Sequence, residues 1–231
     1  PRVAGANEAV GRTATGAIVA PGTGDNMAAA LALDLQLGDV AVSLGTSGTV
    51  FAVADAPSAD PTGAVAGFAD STGRYLPLVC TLNAARVLDA TAAMLGTDVD
   101  GIAELALAAD PGSGGLTLLP YLDGERTPAL PDASGSLHGI RRTNLTPENL
   151  ARAAVEGVLC GLADGVDALV ATGVTPRRVL LIGGAAKSEA VRRLAPDIFG
   201  VDVDVPAPAE YVALGAARQA AWTLTGELPA W

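Results

Sequence analysis

The chain is poor in several residue types, and each shortage excludes something. It has two cysteines, Cys80 and Cys160, and one histidine, His138. No Cys/His metal cluster can be assembled from so few ligands, so no protein-held metal site is expected. Two thiols this far apart in the chain read as buried core residues in a reducing compartment, and a cytoplasmic location is expected. No apolar run reaches the roughly 18 residues that span a membrane, so neither a membrane partner nor a signal peptide is expected. Basic residues are outnumbered, 14 Lys and Arg against 25 Asp and Glu, and the net charge of −11 argues against a nucleic-acid partner. Aromatic residues are scarce, at 3%. There is no initiator Met before Pro1-Arg2-Val3, which reads as the opening of a fragment.

What is present is small and apolar. Half of the 231 residues are hydrophobic, many of them Ala, Val and Leu, enough for a core of closely packed helices on a sheet. Residues 39–44 and 48–54 alternate and run apolar as strands, joined through Gly45-Thr46-Ser47 as a hairpin. A third extended segment falls near Tyr75–Cys80. The spacing predicts helices over 82–95 and 99–109. Residues 111–147, rich in Gly, Pro and Asp, read as one long irregular connection with a short strand near Leu116–Leu119. A long helix follows over 147–172. Thr146 serves as its N-cap, Pro147 occupies the first helical position, and Gly173 closes it. Arg178–Ile182 is a buried-strand pattern, followed by a helix at 188–198, a short strand at 201–205 and a last helix at 209–225. Paired strands first, then alternating helices and strands, give an α/β domain with a mixed sheet.

Three short stretches carry candidate chemistry. Asp25, in Gly24-Asp25-Asn26, precedes the run Met27-Ala-Ala-Ala-Leu. It reads either as an N-cap carboxylate or as a general base held at a rigid helix end. Gly45-Thr46-Ser47-Gly48 reads either as an ordinary hairpin turn or as a phosphate cradle, with backbone N–H groups and hydroxyls as donors. It lacks the Gly-Lys-Ser/Thr of a Walker A loop. Gly183-Gly184-Ala185-Ala186-Lys187-Ser188 follows a buried strand and opens a helix. That context suits either a plain strand-to-helix turn or a nucleotide-contacting one. A proton acceptor paired with a phosphate cradle suggests phosphoryl transfer to a hydroxyl. Two further stretches read as structural. Glu125 and Arg126, between Pro120 and Pro128, tie down the long connection. Gly215 costs about 1 kcal/mol of helix propensity, so close packing onto a sheet or a ligand is expected there.

Taken in order, the phrases Gly24-Asp25-Asn26, Leu44-Gly-Thr-Ser-Gly48, Tyr121-Leu-Asp-Gly-Glu-Arg-Thr-Pro128, Leu150-Ala-Arg-Ala-Ala-Val-Glu-Gly157, Gly183-Gly-Ala-Ala-Lys-Ser188 and Ala213-Leu-Gly-Ala-Ala217 resemble the C-terminal domain of the FGGY family of carbohydrate kinases. The phrases run across nearly the whole chain. The run Ser134-Gly-Ser-Leu-His-Gly-Ile140 departs from the family's more usual Ala-Arg-Gly pattern. The resemblance implies an actin-like ATPase (ribonuclease H-like) α/β domain, with a mixed sheet and helices on both faces. On that basis residues 1–231 are the nucleotide-binding domain, with the N-terminal sugar-binding domain absent. The implied activity is ATP-dependent phosphorylation of a ketose. Other sugars and polyols of the family (gluconate, ribulose or glycerol), and a non-catalytic actin-like nucleotide-binding module, stand as alternatives. Asp25 would be the base and, with Asn26, would contact the sugar. Gly45, Thr46 and Ser47 would face the ATP phosphates. Gly183, Gly184, Ala185 and Ser188 would line the adenosine pocket, with Asn83 as a further nucleotide contact. Mg²⁺ would accompany ATP. The missing domain is the expected partner, and the face that it would cover could support a homodimer.

Overall fold

The computed structural model describes residues 2–230. Its centre is a five-stranded sheet. The strands are β3 (Asp39–Leu44), β4 (Gly48–Ala52), β5 (Leu78–Thr81), β8 (Arg178–Ile182) and β9 (Asp202–Asp204), in the order β5-β4-β3-β8-β9. The β3–β4 hairpin is antiparallel, with Ser43 opposite Thr49, and β4–β5 is antiparallel too. β8 lies parallel to β3, with Ser43 opposite Ile182, and β9 continues parallel. The sheet is therefore mixed, as the element order implies. Arg178, at the start of β8, ties the start of β3 to the end of β9. Its guanidinium donates to both Asp39 carboxylate oxygens, at 2.8 and 2.9 Å, and to Asp204 Oδ2 at 2.8 Å.

Alternation in the strands decides what each face buries. Val40, Val42, Leu44, Val50, Val179 and Leu181 point into one core. It is covered by α2 (Ala85–Leu95), α3 (Val99–Ala108), α4 (Pro147–Ala171) and α5 (Glu189–Phe199). Ala41, Phe51 and Leu180 point the other way, onto Met27, Ala29 and Ala30 of α1 (Asp25–Ala32), with α6 (Tyr211–Thr225) packed against that helix. Helices thus cover both faces. On α4, Leu159, Leu162 and Leu169 are fully buried, and each stabilises the domain by roughly 1.5–3 kcal/mol through burial. The start of α4 is capped as expected, Thr146 Oγ1 accepting from Asn149 N–H at 3.3 Å.

Several expectations need correction. The second helix begins at Ala85 rather than residue 82, because Leu82 and Asn83 are drawn away by the long connection. That connection is not wholly irregular. β6 (Thr117–Leu119) pairs antiparallel with β7 (Ser136–His138), a strand that the sequence did not announce. A two-stranded ribbon, β1 (Gly11–Arg12) with β2 (Ile18–Val19), is also new. Glu125 does tie the connection down. It is 3% exposed and accepts from Leu82 N–H at 2.5 Å, Asn83 Nδ2 at 3.0 Å and Arg126 N–H at 2.7 Å. The Arg126 side chain stays exposed. The cysteines are not a buried pair: Cys80 is half-buried on β5 and Cys160 is exposed on α4. Among the described residues, no helix is long and apolar enough to cross a membrane.

Candidate active site

Parallel pairing of β3 and β8 brings both glycine turns to one edge of the sheet. The chain leaves β3 through Leu44-Gly45 and leaves β8, its neighbour in register, through Gly183-Gly184. The two turns touch through backbone. Gly183 has φ +94°, and a Cβ there would sit 2.6 Å from the Leu44 carbonyl oxygen and 2.9 Å from its nitrogen. Only glycine fits, for reasons of both conformation and space. Gly183→Ala should therefore force the turns apart, costing on the order of 2–4 kcal/mol in chemical denaturation. An alanine variant with the parent's midpoint would show that the turns are not in contact.

The first turn is open on its outer side. Gly45 N–H donates to Ser47 O at 3.1 Å, while the Gly45 carbonyl accepts from Ala85 N–H at 3.0 Å, seating the start of α2 beneath it. Thr46 and Ser47 are exposed, and their hydroxyls have no partner among the described residues. Such hydroxyls and nearby N–H groups suit an anion.

Asp25 comes to the same edge. Its neighbour Asn26 reaches Thr49, which lies opposite Ser43 near the end of β3, so the helix start lies where that strand ends. The N-cap is Gly24, in extended conformation and with no side-chain cap bond. Asp25 is the first helical residue, which corrects its reading as a cap. Its Oδ1 accepts from Asn26 N–H at 2.8 Å and from Asn26 Nδ2 at 3.0 Å, and the side chain is exposed. Asn26 Oδ1 in turn meets Thr49 Oγ1, just past the hairpin turn, in a long contact of 3.5 Å. The approach to the helix is pinned as well: Thr23 Oγ1 and Ser71 Oγ share a 2.7 Å hydrogen bond, and Ser71 Oγ donates to Met27 O at 3.3 Å. An exposed carboxylate, held only by Asn26 of its own helix turn, thus stands on a fixed helix end near the hairpin.

Beyond Gly183-Gly184 lies a cleft of about 560 Å³, of a size that suits a small ligand. One wall is Gly183, Gly184, Lys187 and Arg192; the other is the strap from Pro206 to Tyr211. Burial raises the Tyr211 phenol above its ordinary pKa, and the phenol donates to the Ala207 carbonyl. Sequence reasoning missed this second wall. Its signal was the pair Pro206 and Pro208, which interrupts regular structure between β9 and α6.

The candidate residues divide accordingly. Asp25, Asn26, Gly45, Thr46, Ser47, Gly183 and Gly184 share one edge of the sheet. Ala185 does not line the cleft; it is buried in the core under α5. Ser188 is half-buried, and its N–H closes a 3₁₀ turn onto Ala185 O at 3.0 Å. Asn83 is 3% exposed and serves the long connection, its Nδ2 donating to Gly124 O at 2.7 Å.

A mixed sheet layered on both faces, with glycine turns and a carboxylate at one edge, defines an α/β domain of the actin-like ATPase fold. The chain belongs to the FGGY family of carbohydrate kinases: the model of that family's C-terminal domain matches residues 40–224. It is 50% identical over 216 residues to the xylulose kinase of Streptomyces rubiginosus, covering 93% of this chain and 43% of that protein. It is 47% identical over 213 residues to the xylulose kinase of Streptomyces coelicolor, covering 92% and 42%. The solved structure of xylulose kinase from Bifidobacterium adolescentis superposes with a TM-score of 0.90 at 52% identity, over 100% of this chain and 48% of that one. The chain therefore spans less than half the length of each of these three relatives.

Proposed function

We propose that residues 1–231 are the C-terminal, nucleotide-binding half of an ATP-dependent ketose kinase that converts D-xylulose to D-xylulose 5-phosphate. The observation that carries this is the shared edge: an exposed Asp25 carboxylate beside two touching glycine turns. Asp25 takes the proton from the sugar hydroxyl as its oxygen attacks the γ-phosphorus, and ADP leaves. Asn26 orients the sugar. N–H groups and hydroxyls of Thr46 and Ser47 balance charge on the phosphates, Gly45 shapes the turn that presents them, and the cleft beyond Gly184 takes the nucleoside. Magnesium would supply charge neutralisation across the phosphates. The Thr46 and Ser47 hydroxyls are the oxygen donors this chain would offer it, which fits a hard cation that keeps mostly phosphate and water ligands and leaves Asp25 free as the base.

The sugar-binding domain of this proposal lies outside residues 1–231. The exposed apolar side chains Val212, Leu214 and Leu224 on α6 are candidates for its contact or for a homodimer. A coupled ADP-release assay tests the reading. The full-length enzyme should turn over MgATP with D-xylulose well above gluconate, ribulose or glycerol. Residues 1–231 alone should turn over none, because water exclusion and most sugar contacts need both domains. Preference for another sugar would move the substrate, and ATP turnover indifferent to every sugar would overturn the kinase reading in favour of a nucleotide-binding module.

A further inference from the structure

The outer side of the Gly45–Ser47 turn has a single side-chain hold among the described residues. Arg86, in the first turn of α2, donates from Nε to the Thr46 carbonyl at 3.3 Å and from Nη1 to Asp123 Oδ2 at 2.9 Å. One planar guanidinium thus spans the turn and the long connection, two segments far apart in sequence. Resting on the kinase reading, we propose that Arg86 is a positioning residue for the phosphate turn, a strut whose foot is Asp123.

The foot is firm although Asp123 itself is exposed. Next to it, Asn83 Nδ2 holds the Gly124 carbonyl at 2.7 Å, and the buried Glu125 carboxylate collects Leu82 N–H, Asn83 Nδ2 and Arg126 N–H. The head of the strut acts where the turn is weakest. Gly45 is fixed from below by Ala85 N–H, whereas Thr46 and Ser47 project into solvent. A turn left free there would have to be ordered by each incoming nucleotide, at the expense of affinity. Charge works in the same direction. In a chain of net charge −11, Arg86 pairs the Asp123 carboxylate at 2.9 Å while its Nε holds the turn, so the same cation that grips the turn also offsets a negative charge. The fork suits arginine, whose rigid guanidinium presents separate donors from Nε and Nη1 to the two acceptors, whereas a lysine ammonium is a single point on a flexible stem. An exposed pair of this kind contributes little to stability, so its purpose is to be sought in ligand binding.

The test uses the full-length enzyme and compares MgATP with AMP, which lacks the distal phosphates. Arg86→Ala should raise the KM for MgATP about tenfold, with kcat within about threefold and the sugar KM unchanged. The Kd for MgATP should weaken in parallel, while that for AMP stays put. Thermal midpoints should differ by no more than about 2 °C. Arg86→Lys should recover little of the loss. Asp123→Asn should move the MgATP KM in the same direction by a smaller factor, and the double variant should be no worse than Arg86→Ala, since both act through one strut. An unchanged MgATP KM in Arg86→Ala, equal weakening of AMP and MgATP, or additive losses in the double variant would each overturn the proposal. A parent enzyme that binds MgATP yet phosphorylates no sugar would sink the kinase reading instead, leaving the strut to be judged by the two Kd values.

Discussion

Asp25→Asn in the full-length enzyme should lower kcat by about a thousandfold while leaving the fold intact. The size follows from the role: a positioned general base contributes roughly 10²–10⁴-fold. The selectivity follows from the surroundings. Asp25 is exposed and accepts only from Asn26 within its own helix turn. An asparagine side chain has the same shape, keeps an oxygen acceptor for those donors and leaves Gly24 as the cap. Stability should therefore move by no more than about 0.5 kcal/mol. The KM for MgATP should hardly change, because the phosphate turns are untouched. Steady-state kinetics and a thermal melt on the same preparation decide the matter. A folded variant that still phosphorylates sugar at close to the parent rate would remove Asp25 from the chemistry.

Legibility of the fold tracked how local each signal was. The β3–β4 hairpin was readable because alternation on both sides and a glycine turn between them lie within fifteen residues of chain. The start of α4 was readable because Thr146 and Pro147 carry their meaning in place. β7 was not, since Ser136–His138 is too short to show a period and gains strand character only by pairing with β6. The site divides in the same way. Asp25 and the two glycine turns stand out in the sequence as motifs. The Pro206–Tyr211 wall was not, because it belongs to the cleft only after β8 and β9 are side by side. Asn83 shows the same limit. Its hydrogen bonds go to Gly124 and Glu125, about forty residues away, which no local pattern announces. Gly215 was expected to pack on a sheet or a ligand, and instead it packs on another helix.

That helix contact is where the second large effect should lie. A Cβ at Gly215 would fall 1.8 Å from the Ala28 carbonyl oxygen, 2.4 Å from its carbon and 2.8 Å from its Cα. All three are backbone atoms of α1, so no rotamer can yield, and any side chain must push the helices apart. One turn further along α6, Arg218 is buried and donates to the Leu31 carbonyl at 2.5 Å and to Asp34 Oδ1 at 3.0 Å. The far end of α1 is clamped, and displacement at Ala28 must tilt the helix and swing its start. Gly215→Val should lose more than about 4 kcal/mol, lowering the melting midpoint by roughly 8–16 °C or preventing folding. Gly215→Ala is the gentler version. If it folds, its kcat should drop by about a hundredfold, because a shift of about 1 Å at a reacting group is enough for such a loss. Its KM for MgATP should change much less, since the turns are carried by β3 and β8 rather than by α1. A Gly215→Val enzyme with the parent's melting midpoint would mean that α1 and α6 are not in backbone contact, and the route from that contact to Asp25 would fail with it.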